Sequence, residues 1–190
     1  MQIWAGLGNP GAQYVMHRHN VGFMAVDAIA EVHGFDPWRK GFQGWISAGR
    51  IGTQRILLLK PATYMNDSGR AVGEAMRFYK LDLAALTAFH DELDLEPFRV
   101  KVKTGGGAAG HNGLRSIDAH LGQDYRRVRL GIGHPGHKDR VTNYVLGAYA
   151  KAEIDDLTDM LGAVAAEAPL LADGNDARFC LLYTSPSPRD

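Results

Sequence analysis

Gln2-Ile3-Trp4-Ala5-Gly6-Leu7 is a short apolar run, and Gly8-Asn9-Pro10-Gly11 stops it. A run this short, bounded by turn residues, predicts a buried strand that ends in a turn. The next periodic stretch is helical. Val21, Ala25, Val26, Ile29 and Ala30 recur at helix spacing, with Asn20 placed to cap the start and Gly34 to stop the end. Further along, Trp45 to Ile51 and Arg55 to Leu59 predict two strands around a Gly52-Thr53 turn. Asn66-Asp67-Ser68 can cap a helix running through Tyr79, which has Ala71, Ala75, Met76 and Tyr79 on one side. Leu86 to His90 and Arg99 to Lys103 are the next expected strands, then a helix over Leu114 to Leu121 and a strand over Val128 to Ile132. Helices are expected at about 139–146 and 151–171. This alternation predicts an α/β fold: a single three-layer α/β/α domain with a twisted mixed sheet. The domain is expected over residues 1–179. Residues 180–190, with Thr184-Ser185-Pro186-Ser187-Pro188, lack periodicity and are expected to be a disordered or non-native tail.

The chain has 190 residues, 45% hydrophobic and 22% charged, the size and composition of one globular domain. Lys plus Arg and Asp plus Glu each number 21, so the net charge is zero and a uniformly basic nucleic-acid binder is excluded. The balance is uneven along the chain. Residues 98–140 carry 9 basic and 3 acidic side chains, whereas residues 141–190 carry 3 and 8. The middle segment could therefore meet a polyanion. Cys180 is the single cysteine, which rules out an internal disulfide and a cysteine-based zinc cluster. No apolar run approaches the ~20 residues of a bilayer span. No basic leader with an apolar core opens the chain, so a cytoplasmic location is expected.

Five constellations could carry chemistry. Gly6-x-Gly8-x-x-Gly11 follows a strand as a dinucleotide fingerprint does, but Pro10 and the polar stretch Ala12 to His19 separate it from the helix. A tight turn is the plainer reading. His19, in Arg18-His19-Asn20 ahead of a helix, either faces a cleft as a general base or is a solvated loop histidine. His90-Asp91-Glu92-Leu93-Asp94 ends a strand, where ligands of α/β sheets bind. A carboxylate there could orient a histidine or ligate a metal, although no paired metal spacing accompanies it. Gly105-Gly106-Gly107-Ala108-Ala109-Gly110-His111-Asn112-Gly113 puts five glycines in nine positions before a helix. Such a stretch can bring backbone close to a phosphate, yet it lacks the Gly-Lys-Ser/Thr of a nucleotide P-loop. Lys101, Lys103, Arg115, Arg126, Arg127 and Arg129 then form a basic surplus, which is either a solvated face or a phosphate contact. No serine, cysteine or threonine sits in a nucleophile setting, so a hydrolase of this sequence would use water directly.

Together these segments resemble the bacterial-type peptidyl-tRNA hydrolases. The resemblance is carried by Gly6-Leu7-Gly8-Asn9-Pro10-Gly11 with Tyr14, by Arg18-His19-Asn20-Val21-Gly22 and by Lys60-Pro61-x-Thr63-Tyr64-Met65-Asn66-x-Ser68-Gly69. His90-Asp91-Glu92-Leu93-Asp94, the glycine-rich stretch through Leu114, and Arg129-Leu130-Gly131-Ile132-Gly133-His134-Pro135-Gly136 complete it, in the family's order over about residues 1–178. It implies hydrolysis of the ester between a peptide, or an N-blocked amino acid, and the 3′-terminal ribose of tRNA. By similarity His19 is the base that activates water, and Asp91 holds its imidazole. Asn9 accepts a hydrogen bond from the peptide's first amide. Tyr14, Tyr64, Asn66 and Asn112 line the substrate's path, with Met65 and His111 adjoining. Lys103 and Arg129 match positions associated with the tRNA's terminal phosphate. The resemblance implies no metal or other cofactor, and a monomer is expected. The alternatives are a non-catalytic RNA-binding protein of the same fold, and a nucleotide-cofactor enzyme using Gly6 to Gly11.

Overall fold

The computed structural model describes residues 1–184. Its elements are β1 (Gln2–Gly6), α1 (Val21–Val32), β2 (Arg39–Gly41), β3 (Gly44–Ile51), β4 (Gln54–Pro61), α2 (Ser68–Phe78) and β5 (Leu86–Glu92). Then follow β6 (Val100–Thr104), α3 (Asn112–Leu121), β7 (Arg126–Gly131), α4 (Val141–Val145), α5 (Ile154–Ala166), α6 (Ala168–Ala172) and α7 (Asp176–Thr184). The sheet order is β2-β3-β4-β1-β5-β7-β6. The central strands β4, β1, β5 and β7 are parallel. At the edges, β3 and β2 on one side and β6 on the other run antiparallel to their neighbours.

Apolar residues cover both faces of β1, as its continuous apolar run predicts. Trp4 joins a core with Val26, Ile29, Phe89, Val128, Leu157 and Val164, beneath α1 and α5. Ile3, Ala5 and Leu7 join the opposite core with Leu57, Val72, Met76, Leu114 and Ile117, beneath α2 and α3. Three layers result, with the mixed sheet in the middle. The helices that follow β1 and β4 go to opposite faces, so a crevice opens beyond the carboxyl ends of β1 and β5.

The glycines that imitate a dinucleotide fingerprint have a packing explanation. A Cβ on Gly6 would lie 2.3 Å from the Gly22 carbonyl oxygen, and one on Gly22 would lie 2.3 Å from the Phe89 carbonyl oxygen. These two positions let α1 press directly on β1 and β5. Two short 3-10 turns, Ala12–Tyr14 and Arg18–Asn20, separate Gly11 from α1, so no helix terminus faces the Gly6–Gly11 turn.

Other expectations need correction. Asn20 precedes α1 but does not cap it, because its side chain is bonded to the backbone of Asn9 instead. Asp67, not Asn66, directly precedes α2, after a 3-10 turn at Met65–Asp67, and it makes no side-chain cap. The three-residue β2 lies in a stretch with no alternating pattern. The expected 151–171 helix is two, α5 and α6, broken near Pro169, whose ring cannot donate the next backbone bond. At the other end, α7 carries helical backbone beyond the expected boundary at 179. Cys180 packs against the core, and its sulfur accepts a bond from the Val102 amide. The remainder of the expected tail, residues 185–190, lies outside the described residues.

Candidate active site

Asp91 sits one residue before the carboxyl end of β5, buried, between two imidazoles. His19 Nδ1 lies 2.8 Å from Asp91 Oδ2, and His111 Nε2 lies 2.7 Å from Asp91 Oδ1. The His19 ring enters from the 3-10 turn before α1. The His111 ring enters from the start of α3, where it is the N-cap. Its Nδ1 accepts from the amides of Gly113 and Leu114 at 3.1 and 3.2 Å. Those two bonds decide the tautomer: the proton of His111 is on Nε2, pointed at Asp91. Glycine at 113 leaves room for the cluster, since a Cβ would come 2.6 Å from Met65 Sδ and 3.0 Å from the His111 ring and would push one of them aside.

This geometry sets the charges. Burial opposes ionisation of Asp91, but the His19 and His111 charges and hydrogen bonds overcome it and hold the carboxyl far below its usual range. Burial likewise opposes charging of His19. The Asp91 carboxylate outweighs that effect, so the imidazole titrates above its ordinary 6.5. With Nδ1–H directed to Asp91, Nε2 is the lone-pair nitrogen of His19. His90 behaves in the opposite way. Complete burial and the neighbouring His111 lower it to about 4. Its Nδ1 donates to the Asp91 carbonyl at 2.9 Å, while its buried Nε2 has no partner among the described residues.

Asn9 is positioned by three bonds. Its amide donates to Asn20 Oδ1, its carbonyl accepts from Asn20 Nδ2, and its own Oδ1 accepts from the Met65 amide at 2.8 Å. The last bond fixes the orientation of the carboxamide. Its oxygen accepts one bond and keeps a second lone pair, and Nδ2 is a free donor, so the carboxamide offers a ligand both an acceptor and a donor. The same bond helps to hold Tyr64 at φ 59 and ψ 160, a strained region for a residue with a Cβ. Tyr64 projects as an exposed ring at the cleft mouth.

Asn9, Tyr14, His19, Tyr64, Met65, Asn66, Asp91, His111 and Asn112 all line one cleft of about 500 Å³. That size suits an organic ligand. Lys103 and Arg129 do not line it; they lie beside it on β6 and β7. Arg129 is tied to Glu92 at 2.8 Å, and Lys103 is exposed. Burial would raise Glu92, but the Arg129 bond prevails and lowers it. The basic surplus is thus smaller on the surface than in the sequence. Arg127 is buried, bonded to the Gly107 carbonyl, Asp118 and the Gln123 carbonyl. Arg126 is bonded to Thr87, Leu171 and Asp176.

Sequence reasoning missed part of the lining. Leu93 and, from α4 and its flank, Val141, Thr142, Val145 and Leu146 form one wall. Arg18 fixes that wall to the His19 turn: its guanidinium bonds the Ala148 carbonyl and Glu153 and stacks over Tyr144. His19, Asp91 and His111 also offer three ligand atoms within 4.8 Å of one another. The two N···O contacts within this set, 2.8 and 2.7 Å, are hydrogen-bond lengths, with a proton shared along each.

Comparison with known proteins agrees with this architecture. The family model described as peptidyl-tRNA hydrolase matches residues 3–185. The chain belongs to the peptidyl-tRNA hydrolase family. A peptidyl-tRNA hydrolase of Rhizorhabdus wittichii is 74% identical over 179 residues, 94% of this chain and 95% of the relative. One of Novosphingobium aromaticivorans is 73% identical over 94% of each chain. The crystal structure of the peptidyl-tRNA hydrolase of Acinetobacter baumannii superposes with a TM-score of 0.92 at 37% identity, covering 99% of this chain and 96% of that one. The fold expected from sequence is thus that of solved peptidyl-tRNA hydrolases.

Proposed function

We infer that this chain hydrolyses the ester joining a peptide to the 3′-terminal ribose of tRNA, with His19 as the base that activates water. Family membership supports the substrate, and the two imidazoles held on one buried carboxylate support the chemistry. In this reading His19 Nε2 takes a proton from water as the oxygen attacks the ester carbonyl. Asp91 stabilises the imidazolium that forms. The tetrahedral intermediate then expels the ribose oxygen, which leaves with the proton from His19, releasing peptide and tRNA. Asn9 meets the peptide with both groups, Oδ1 accepting from its first amide and Nδ2 donating to a carbonyl. Tyr14, Tyr64, Met65, Asn66 and Asn112 line the substrate's path, while Lys103 and Arg129 meet the terminal phosphate. Both Asp91 oxygens are bonded and Glu92 is paired with Arg129, so a free aminoacyl ammonium finds no open carboxylate. Blocked substrates are favoured as a result.

The catalytic domain is residues 1–179 in this reading, which the 179-residue alignments with the relatives support, although α7 runs on to Thr184 and the family match to residue 185. The enzyme acts as a monomer in the cytoplasm. In support, one chain supplies the whole cluster, and among the described residues no helix is long and apolar enough to cross a membrane. A non-catalytic RNA-binding role is disfavoured, because a binder gains nothing from a buried charge held by two histidines. The test is release of N-acetyl amino acid from N-acetyl-aminoacyl-tRNA. His19→Ala should lower kcat by about 10²–10⁴-fold with the fold intact. Turnover near the wild-type rate in that variant would mean that another group is the base.

A further inference from the structure

A second groove, of about 270 Å³, runs from the far side of Asn9. Its walls are Val15, Phe23, Met24, Trp45, Lys60 and Pro61, and it shares Asn9 with the catalytic cleft. Val15 is 56% exposed and Trp45 40%, high values for large apolar side chains. The charges at its border are already matched: Lys60 Nζ lies 2.7 Å from Asp27 Oδ1 and 4.3 Å from the Trp38 ring centre. Among its described lining residues the groove therefore offers apolar surface without an unpaired cation; the exposed Lys40 stands outside it, 5.9 Å from the Trp45 ring centre. Its volume falls just below the ~300–1,000 Å³ of a complete small-ligand site, so it suits a short stretch of a larger ligand.

Sheet order says what that ligand is. The exposed Lys101 and Lys103 lie on the β6 edge, the reacting cluster lies at the ends of β1 and β5, and the groove lies at β4 and β3. A peptidyl-tRNA has the same three parts in line: polyanion, ester, peptide. With the tRNA end at the basic edge and the ester at His19, the peptide leaves on the other side, past Asn9. The chain from Pro61 to Asn66 follows the same course, with Pro61 in the groove and Tyr64 to Asn66 in the cleft.

We propose that this groove binds the peptide of the substrate, beginning at about the second residue from the ester, through apolar contacts indifferent to sequence. An extended peptide advances ~3.3–3.6 Å per residue, so a dipeptide or tripeptide reaches beyond Asn9 whereas a single blocked amino acid does not. An enzyme that must accept many peptide sequences is well served by a surface without a selective charge. The proposal rests on the hydrolytic reading above and extends it.

The test is a length series: N-acetyl-aminoacyl-tRNA against tRNA carrying N-acetylated peptides of two to five residues, with wild type, Trp45→Ala and Val15→Glu. Expected is a KM that falls with peptide length in the wild type. Each variant should raise KM for the longer substrates by about three- to tenfold, under 1.4 kcal/mol, while the single-residue substrate changes less than about twofold. A photoreactive residue placed third from the ester should crosslink to this groove in His19→Ala protein, which settles the matter if a variant folds poorly. Equal KM changes at every length, or crosslinks confined to the α4 wall, would overturn the proposal. Wild-type protein inert even on N-acetyl-aminoacyl-tRNA would overturn the hydrolytic reading itself and this one with it.

Discussion

The ends of β1 and β5 and the edge formed by β7 and β6 both carry charge, but the two regions hold it differently. At the first, Asp91 is buried and each of its oxygens has a partner, so its field acts on His19 through protein and little through water. At the second, the charge is divided. Arg127 is buried as a structural tie under the glycine-rich loop, whereas Lys101 and Lys103 stand in solvent without an ion pair among the described residues. Buried charge gives a fixed geometry that salt hardly weakens; exposed charge gives attraction that salt screens within ~10 Å at 0.1 M. The proposed reaction site and the proposed tRNA-facing edge therefore lie in separate electrostatic environments.

The largest expected effect tests the buried region. Asp91→Asn should lower kcat by about 10³–10⁴-fold, since it removes the group that stabilises the His19 imidazolium. It should also move the acid limb of the pH–rate profile. In the wild type that limb reports His19 and lies above 6.5, because the carboxylate favours the charged ring. With the carboxylate gone, burial alone remains, and the midpoint should fall. An unchanged midpoint would mean that another group sets the limb.

Next in size is Arg127→Ala, which leaves Asp118 without its guanidinium and frees the Gly107 carbonyl. A loss of ~3–5 kcal/mol in unfolding free energy is expected, read by urea denaturation. A loss below ~1 kcal/mol would place Arg127 with the solvated charges rather than with the fold.

Acid stability follows from the same contrast. The folded pKa of His90 is depressed to about 4, so the unfolded chain binds its proton more tightly. That contribution to stability is complete above about 6.5 and is lost as pH falls toward 4. Asp91, also depressed, adds a loss that begins below its ordinary range of ~3.9. His19 has the opposite sign: its raised pKa stabilises the fold below 6.5, and this is lost as pH rises through the folded value. His90→Asn should flatten the decline between pH 6.5 and 4 in thermal denaturation. A decline of unchanged slope would assign it to other groups.

The smallest effect belongs to the exposed region. Lys103→Ala should weaken tRNA substrates by a few-fold, spare short esters lacking nucleic acid, and reduce the slope of log affinity against log salt by about one. Equal loss on both substrate types would move Lys103 from the solvated edge into the fold.

Much of this was legible in the residues. The continuous apolar run of β1, the helical spacing of α1 and the alternation along the chain gave the layers, because local periodicity reports which faces are buried. His19, Asp91 and the asparagines stood out because they adjoin strand ends and turns. Asn20, Arg127 and His111 are less legible for one reason: each has a side-chain partner outside its own element, which local spacing does not report. Asn20 resembles a cap, yet its side chain is bonded to Asn9. Arg127 looks like a phosphate ligand, yet α3 and the loop around Gly107 enclose it. His111 lines the cleft, and what its sequence position does not report is that it also caps α3 and bonds the second oxygen of Asp91.

From the one-dimensional chain came the α/β class, most of the order of elements, the uneven charge and the candidate residues of the site, since these depend on residue type and near-neighbour spacing. Tertiary structure alone decided the protonation pattern around Asp91, the orientation of the Asn9 carboxamide, and which cations remain on the surface. Hydrogen-bond direction and desolvation depend on atoms that meet only after the sheet has brought residues 19, 91 and 111 together.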